Sequence, residues 1–233
     1  ICGTAVEKMS KSKYNVVNPD DIVAQYGADT FRMYEMFLGP IDVSKPWDTK
    51  GIEGVHRFLK KLWRLYTNET GILVDESEPS IEALKVLHKG IKKIEEDTER
   101  FSFNTAVSMF MITVNELSAL GCRSKAILEP LLVLLTPYAP HIAEELWHLM
   151  GNTSSILDAS YPKYDLAYTI DNSKLYPIAI NGKTRVELEF PLDATEDFLK
   201  EELLKNETVQ KWMEGKALKK FIFVKGKMIN IVI

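Results

Sequence analysis

Apolar residues recur at helical spacing through most of the chain and switch to alternation near its end. From Gly51 to Thr70, Val55, Phe58, Leu59, Leu62, Leu65 and Tyr66 fall on one face. Leu84, Leu87 and Ile91 do so within Ile81–Ile94, and Val107, Phe110, Met111, Val114 and Leu117 within Thr105–Leu120. The spacing predicts three amphipathic helices of bundle length. Lys125 to Met150 predicts a fourth that Pro137 and Pro140 break or kink, with Leu146, Trp147 and Met150 resuming its apolar face. Upstream, Asn18-Pro19-Asp20-Asp21 reads as a cap, a proline at the first helical position and acids facing the helix dipole; Gly27 closes this short helix. Asp29 then caps a second helix, Thr30 to Leu38, ended by Gly39-Pro40.

The period is lost over 151–175, and 161–175, around Tyr161-Pro162, reads as a linker. Beyond it, Pro177–Ile180 and Arg185–Phe190 alternate on either side of Asn181-Gly182, a strong hairpin signal. A helix from Asp193 or Thr195 through Leu204, a shorter one over Val209–Met213, and strands Phe221–Val224 and Met228–Val232 about Gly226 complete a small α+β unit. The fold class expected is mainly α: a helical bundle over 49–160, preceded by a segment ending at 48 and followed, after the linker, by an α+β domain over 176–233.

Composition narrows the function little. The 233 residues are 45% hydrophobic and 27% charged, which excludes a disordered, collagen-like or disulfide-scaffold chain. The longest apolar run, Leu131 to Leu135, is far short of the ~20 residues of a membrane helix, so no membrane association is expected. Cys2 and Cys122 offer neither a zinc motif nor a disulfide framework, which fits a reducing, cytoplasmic setting. The formal charge of −4 conceals an uneven distribution: residues 1–171 carry net −6 and residues 172–233 net +2. The chain does not begin with Met, and it opens as though cut from something longer.

The densest chemical signal is Lys8-Met9-Ser10-Lys11-Ser12-Lys13. Three ammonium groups and two hydroxyls in a short polar loop suit a polyphosphate; the competing reading is a solvated basic loop. The string itself shifts the balance. Lys8-Met9-Ser10-Lys11-Ser12 resembles the KMSKS motif of class I aminoacyl-tRNA synthetases, and Asn15, Asn18-Pro19 and Tyr26-Gly27-Ala28-Asp29-Thr30-Phe31-Arg32 follow in that family's order.

Three further stretches resemble leucyl-tRNA synthetases. Met36–Pro40, Trp47-Asp48 and Gly51–Leu59 look like the entry to their helical bundle, while Phe103–Ala106 and Thr136–Trp147 are similar to the anticodon-binding bundle. Ile180–Arg185, Pro191–Thr195 and Val224–Asn230 resemble the C-terminal domain of bacterial-type enzymes. The resemblance makes residues 1–48 the end of the catalytic module, carrying the KMSKS loop. It implies that Lys8 and Lys11 act in catalysis by stabilising charge on departing pyrophosphate, and that Lys8, Ser10, Lys11 and Ser12 bind ATP, accompanied by Mg²⁺. It implies leucine and tRNA(Leu) as the other partners of a monomeric enzyme. No His-x-Gly-His context surrounds His56, His88, His141 or His148, so the chain resembles only the C-terminal end of such an enzyme and is not expected to catalyse alone.

Arg57, Lys60, Lys61 and Arg64, at i, i+3, i+4 and i+7, form a basic stripe suited to RNA phosphates, weighed against an ordinary solvated helix face. Lys85, Lys89, Lys92 and Lys93 repeat the pattern beside several acids. In the family the last domain meets the outer corner of tRNA, which makes Lys183, Arg185, Lys225 and Lys227 candidate contacts there, with Lys219 and Lys220 nearby; protective edge-strand lysines are the alternative. Trp63, Trp147 and Phe110 are expected in the core, Trp212 has no assigned role, and Cys122 reads as a structural thiol. His141 with Glu144-Glu145 lacks a second histidine at zinc spacing, so no metal site is expected. The resulting expectation is the C-terminal part of a leucine–tRNA ligase; the alternative is a free-standing RNA-binding or assembly module.

Overall fold

The computed structural model describes residues 7–170, 173–192 and 194–233. The readings placed on Cys2 and Asp193 lie outside these residues. The chain divides into two compact units, Ile1–Thr169 and Ile170–Ile233.

The first unit begins with a 3₁₀ turn at Lys11–Lys13, followed by helices α1 (Pro19–Tyr26) and α2 (Ala28–Phe37). Asn18 caps α1 by accepting the Asp20 N–H at 3.2 Å, with Pro19 at the first helical position. Gly27, at φ 88°, is the shared residue between α1 and α2. Asp29 therefore lies inside the first turn of α2 and does not cap it, contrary to the sequence expectation; its carboxylate is used elsewhere. Helix α3 (Thr49–Tyr66) starts at a true side-chain cap, Asp48 Oδ1 accepting the Lys50 N–H at 2.9 Å.

A short ladder, β1 (Thr67–Asn68) with β2 (Gly71–Ile72), leads to α4 (Ile81–Glu99) and α5 (Phe103–Ala119). Helix α4 runs past Ile94, and the buried Asp97 in its last turns is held by Lys93, one turn upstream, at 2.7 Å. The expected fourth helix is two separate ones, α6 (Lys125–Leu135) and α7 (Pro140–Leu149). Pro137 lies between them and Pro140 opens α7, whereas Pro130 sits inside α6 without ending it. A proline there forfeits one backbone bond. Six buried residues, including Ile127, Leu128, Leu131 and Leu134, anchor that helix in the core.

Tyr66 and Tyr138 are buried at the centre of this core, and each hydroxyl has a partner: Tyr66 donates to the Leu128 carbonyl at 2.8 Å, and Tyr138 lies 2.6 Å from the Thr98 hydroxyl. A short helix, α8 (Leu166–Thr169), occupies part of the expected linker. Tyr168 stacks on His88 of α4 at 5.0 Å, and the Asp165 N–H donates to His88 Nδ1 at 3.0 Å.

The second unit is a four-stranded sheet in the order β4-β3-β6-β5, built from β3 (Ser173–Ile180), β4 (Lys183–Pro191), β5 (Lys220–Val224) and β6 (Met228–Val232). Between β4 and β5 come α9 (Glu196–Lys205), capped by Thr195, and α10 (Glu207–Met213), capped by Asn206. The β3–β4 turn has positive φ at Asn181 (49°) and Gly182 (78°), as a two-residue hairpin of the expected hand requires. β3 and β6 pair in parallel, so the last strand returns beside the first. Leu199, Leu203, Val209 and Met213 pack with Tyr176, Ile178, Ile229 and Ile231 in a separate core.

Candidate functional site

The Lys8–Ser12 loop is shaped by its own hydrogen bonds. Asn15 bridges its base: its Oδ1 accepts the Ser10 N–H at 2.8 Å, and its Nδ2 donates to the Lys8 carbonyl at 3.3 Å. The Ser10 and Ser12 hydroxyls lie 2.8 Å apart, and the Lys13 N–H donates to the Ser10 carbonyl at 3.0 Å. Tyr14 takes up the left-handed conformation, φ 52°, as the loop leaves the turn. Lys13 is paired to Glu7 at 2.7 Å, whereas the ammonium groups of Lys8 and Lys11 are exposed and have no carboxylate partner among the described residues. The loop therefore presents two uncommitted cations on a backbone locked from below. Sequence reasoning placed Asn15 in the motif's continuation without seeing this role, which depends on a side chain folding back five to seven residues.

The four cations of α3 are all exposed, but they do not act as one row. Lys60 lines a cavity of about 400 Å³ between α2, α3 and α7, together with Tyr26, His56, Trp63 and His141. Lys61 and Arg64 line a second cavity of about 480 Å³ on the other flank, with Ser118, Cys122 and Arg123. Lys61 is also tied to Asn115 Oδ1 at 2.6 Å. Arg57 lines neither cavity. Arg123, an addition to the expected set, comes from the loop before α6 and could not be linked to α3 by spacing. Cys122 in this second cavity has its thiol pKa pushed up, mainly by burial, which makes it a poor nucleophile.

The cations of α4 are partly spent within the fold: Lys93 pairs with Asp97, and Lys92 lies 5.9 Å from the Tyr164 ring centre. In the second unit the sheet separates the expected contacts. Lys183 and Arg185 start β4 beside the Asn181-Gly182 turn, at the end of the sheet where β5 begins with Lys220. Lys225 and Lys227 flank Gly226 at the opposite end, where the Gly226 N–H donates to the Tyr176 hydroxyl at 3.1 Å. The two pairs therefore cannot be a single cluster. Arg185 lies over the Trp212 ring at 3.9 Å, which gives Trp212 a role the sequence did not.

Trp63 departs from the core expectation, whereas Trp147 is half-buried and packs against the core of the first unit. Trp63 is 37% exposed, and the indole N–H of Trp147 donates to the Ser154 carbonyl at 2.9 Å; Phe110 is fully buried, as expected. His141 Nδ1 lies 2.8 Å from Asp29 Oδ1, and His148 joins Glu144 at 3.0 Å and the Asn152 carbonyl at 2.8 Å. No group of three His, Cys, Asp or Glu side chains capable of holding a metal ion occurs among the described residues. No helix among them is long and apolar enough to cross a membrane.

The element order, the loop and the bundle all have counterparts in known proteins. The anticodon-binding domain of tRNA ligases matches residues 81–203, more than half of the chain, and the class I tRNA synthetases for I, L, M and V match residues 2–42. Over 233 residues the chain is 57% identical to the leucine–tRNA ligase of Cytophaga hutchinsonii, covering 100% of this chain and 25% of that one. It is 57% identical over 234 residues to the enzyme of Parabacteroides distasonis, again covering 100% of this chain and 25% of the relative. The chain belongs to the anticodon-binding domain family of tRNA ligases.

It spans about a quarter of the length of these relatives, within their C-terminal region. Among solved structures, a LeuRS–tRNA–LeuAMS ternary complex from Agrobacterium radiobacter K84 matches with a TM-score of 0.68 at 29% identity, covering 97% of this chain and 31% of that one. The class I synthetase match takes in the Lys8–Ser12 loop, and the anticodon-binding match begins at α4. The anticodon-binding match extends from α4 into α9, so it crosses the division between the two compact units.

Proposed function

We propose that this chain supplies the KMSKS loop and the tRNA-binding parts of a monomeric, cytoplasmic leucine–tRNA ligase. The parent reaction joins leucine to ATP as leucyl-adenylate, releases pyrophosphate, and transfers the leucyl group to the 3′ end of tRNA(Leu). The observation that carries the reading is the pair of uncommitted ammonium groups, Lys8 and Lys11, on a loop fixed by Asn15.

MgATP enters as substrate. Lys8 and Lys11 meet its phosphates as point charges, and their contribution grows as negative charge gathers on the departing pyrophosphate. Neither is assigned an acid or base role; the effect of each is electrostatic. Ser10 and Ser12 bind the same phosphates through hydroxyls that already hold each other in place, so little ordering is left for the substrate to impose. The tRNA is held through Arg57, Lys60, Lys61 and Arg64 in the first unit and Lys183, Arg185, Lys225 and Lys227 in the second.

In the complete ligase, Lys11→Ala slows single-turnover adenylation by at least about tenfold while leucine binding is unchanged. An unaltered single-turnover rate removes Lys11 from the mechanism. The isolated chain is expected to show no leucine-dependent ATP–pyrophosphate exchange, because no His-x-Gly-His context accompanies its KMSKS loop. It binds tRNA(Leu) weakly and in a salt-sensitive way.

A further inference from the structure

We propose that the cavity between α2, α3 and α7 receives one unstacked nucleotide of a bound RNA, its base lying on the Trp63 indole and its phosphate met by Lys60. The proposal rests on the tRNA-binding reading above and assigns a site within it.

The cavity, about 400 Å³, falls within the size range of small-molecule pockets, roughly 300–1,000 Å³. That is ample for a nucleobase with its sugar and too small for a duplex. Trp63 is the unusual wall. An amphipathic helix normally turns its indole to the core, yet this one is 37% exposed, and its N–H has no partner among the described residues. It sits one turn after Lys60, so an aromatic face and a cation are offered side by side, the pairing that single-stranded nucleic acids use.

Charge selects the occupant. Lys60 in the cavity wall is exposed and has no carboxylate partner among the described residues, which favours an anionic occupant over a cationic or neutral peptide. Asp29 lies in the cavity wall, but Oδ2 accepts the Ile142 N–H and Oδ1 lies against the His141 N–H and ring, so its charge is spent on the start of α7. Half-buried His56 and exposed His141 complete a lining able to donate or accept hydrogen bonds at a base edge. Sequence alone ranked Trp63 with the core; its position on the edge of the buried face of α3 makes it available.

The test uses this chain with a tRNA(Leu) transcript, an unstructured pentanucleotide and 5′-AMP, binding being followed by tryptophan fluorescence and by affinity at several salt concentrations. Trp63→Ala is expected to weaken tRNA and pentanucleotide binding roughly tenfold with the salt slope unchanged, since a stacked base is worth about 1–3 kcal/mol and releases no counterion. Trp63→Phe should keep affinity within about threefold, and Lys60→Gln should lower the salt slope by about one. Wild-type affinity in Trp63→Ala overturns the pocket, as does equal loss in Trp63→Ala and Trp63→Phe with both proteins folded by circular dichroism. If Trp63→Ala does not fold, Trp63→Phe with retained affinity but lost fluorescence quenching supports the pocket, and unchanged quenching overturns it. Saturation by 5′-AMP at the same concentration as the pentanucleotide overturns RNA as the source. Absence of any salt-dependent tRNA binding by wild type defeats the underlying functional reading instead.

Discussion

Asp29 caps a helix that begins 111 residues later in the chain. Helix α7 opens at Ala139-Pro140, where neither residue has a side chain able to accept a backbone N–H. Asp29 Oδ2 accepts the Ile142 N–H at 2.7 Å, and Oδ1 lies 3.3 Å from the His141 N and 2.8 Å from its Nδ1. The neighbouring Arg32 donates to the Pro137 carbonyl at 3.0 Å. Two residues of the Tyr26–Arg32 motif thus dock the segment behind the KMSKS loop onto the bundle.

Removing this long-range cap should weaken both elements at once. Asp29→Ala is expected to destabilise the first unit by about 2 kcal/mol, the upper end for a lost N-cap, because the released amides are partly buried. Asp29→Asn retains an acceptor and loses less. Chemical denaturation followed by circular dichroism compares the two, and equal stability of all three proteins contradicts the capping account.

The α4–α5 crossing depends on Gly90. A Cβ there would lie 2.9 Å from Thr113 Oγ1, a fully buried hydroxyl with no hydrogen-bond partner among the described residues. Gly90→Ala should therefore cost about 1–3 kcal/mol through overpacking, less the ~1 kcal/mol that alanine gains in helix propensity. Combining it with Thr113→Ala relieves the contact, so a double-mutant cycle should show favourable coupling. Additive effects contradict a direct clash.

Helix α8 should loosen in acid. Burial lowers the pKa of His88 below its usual 6.5, the nearby Asp165 only partly opposing this, and the neutral ring accepts the Asp165 N–H. A group with a depressed folded pKa contributes fully above its unfolded pKa, and the contribution is lost as pH falls through the folded value. Amide exchange at Asp165–Thr169 is thus expected to accelerate below about pH 6.5, and His88→Phe, which keeps the stack on Tyr168 but has no acceptor, should flatten the profile. Unchanged pH dependence in that variant assigns the effect to another group.

Asn15 governs the order of the Lys8–Ser12 loop. Asn15→Ala removes both side-chain links to its base and should raise amide exchange and protease cleavage across residues 8–14 while global stability changes by less than about 1 kcal/mol. Equal cleavage in wild type and variant shows that the 3₁₀ turn suffices.

Much of the fold was legible in local pattern. The apolar face of α3, the cap at Asn18, the Asn181-Gly182 hairpin and both final strands follow from periodicity and turn chemistry, which act over a few residues. The motif loop was equally visible, because Lys8–Ser12 is contiguous. Local pattern fails where a residue's partner is distant: Asp29 reads locally as a cap for α2, but its partners are at the start of α7. The basic stripe of α3 was correct in phase, yet only the packing of α2, α5 and α7 shows Lys60 and Lys61 facing different cavities.

Sequence by itself determined the helical bundle followed by an α+β unit, the class I loop and the leucine–tRNA ligase resemblance, since these reside in period, turn residues and contiguous strings. Tertiary structure alone decided that Asp29 serves α7, that Arg185 lies on Trp212, that Lys183 and Lys227 stand at opposite ends of a sheet, and that Trp63 faces a cavity. The physical reason is that hydrogen bonds, ring contacts and cavities are set by where helices and strands cross. Those crossings bring together residues up to 113 positions apart, as with Asp29 and Ile142.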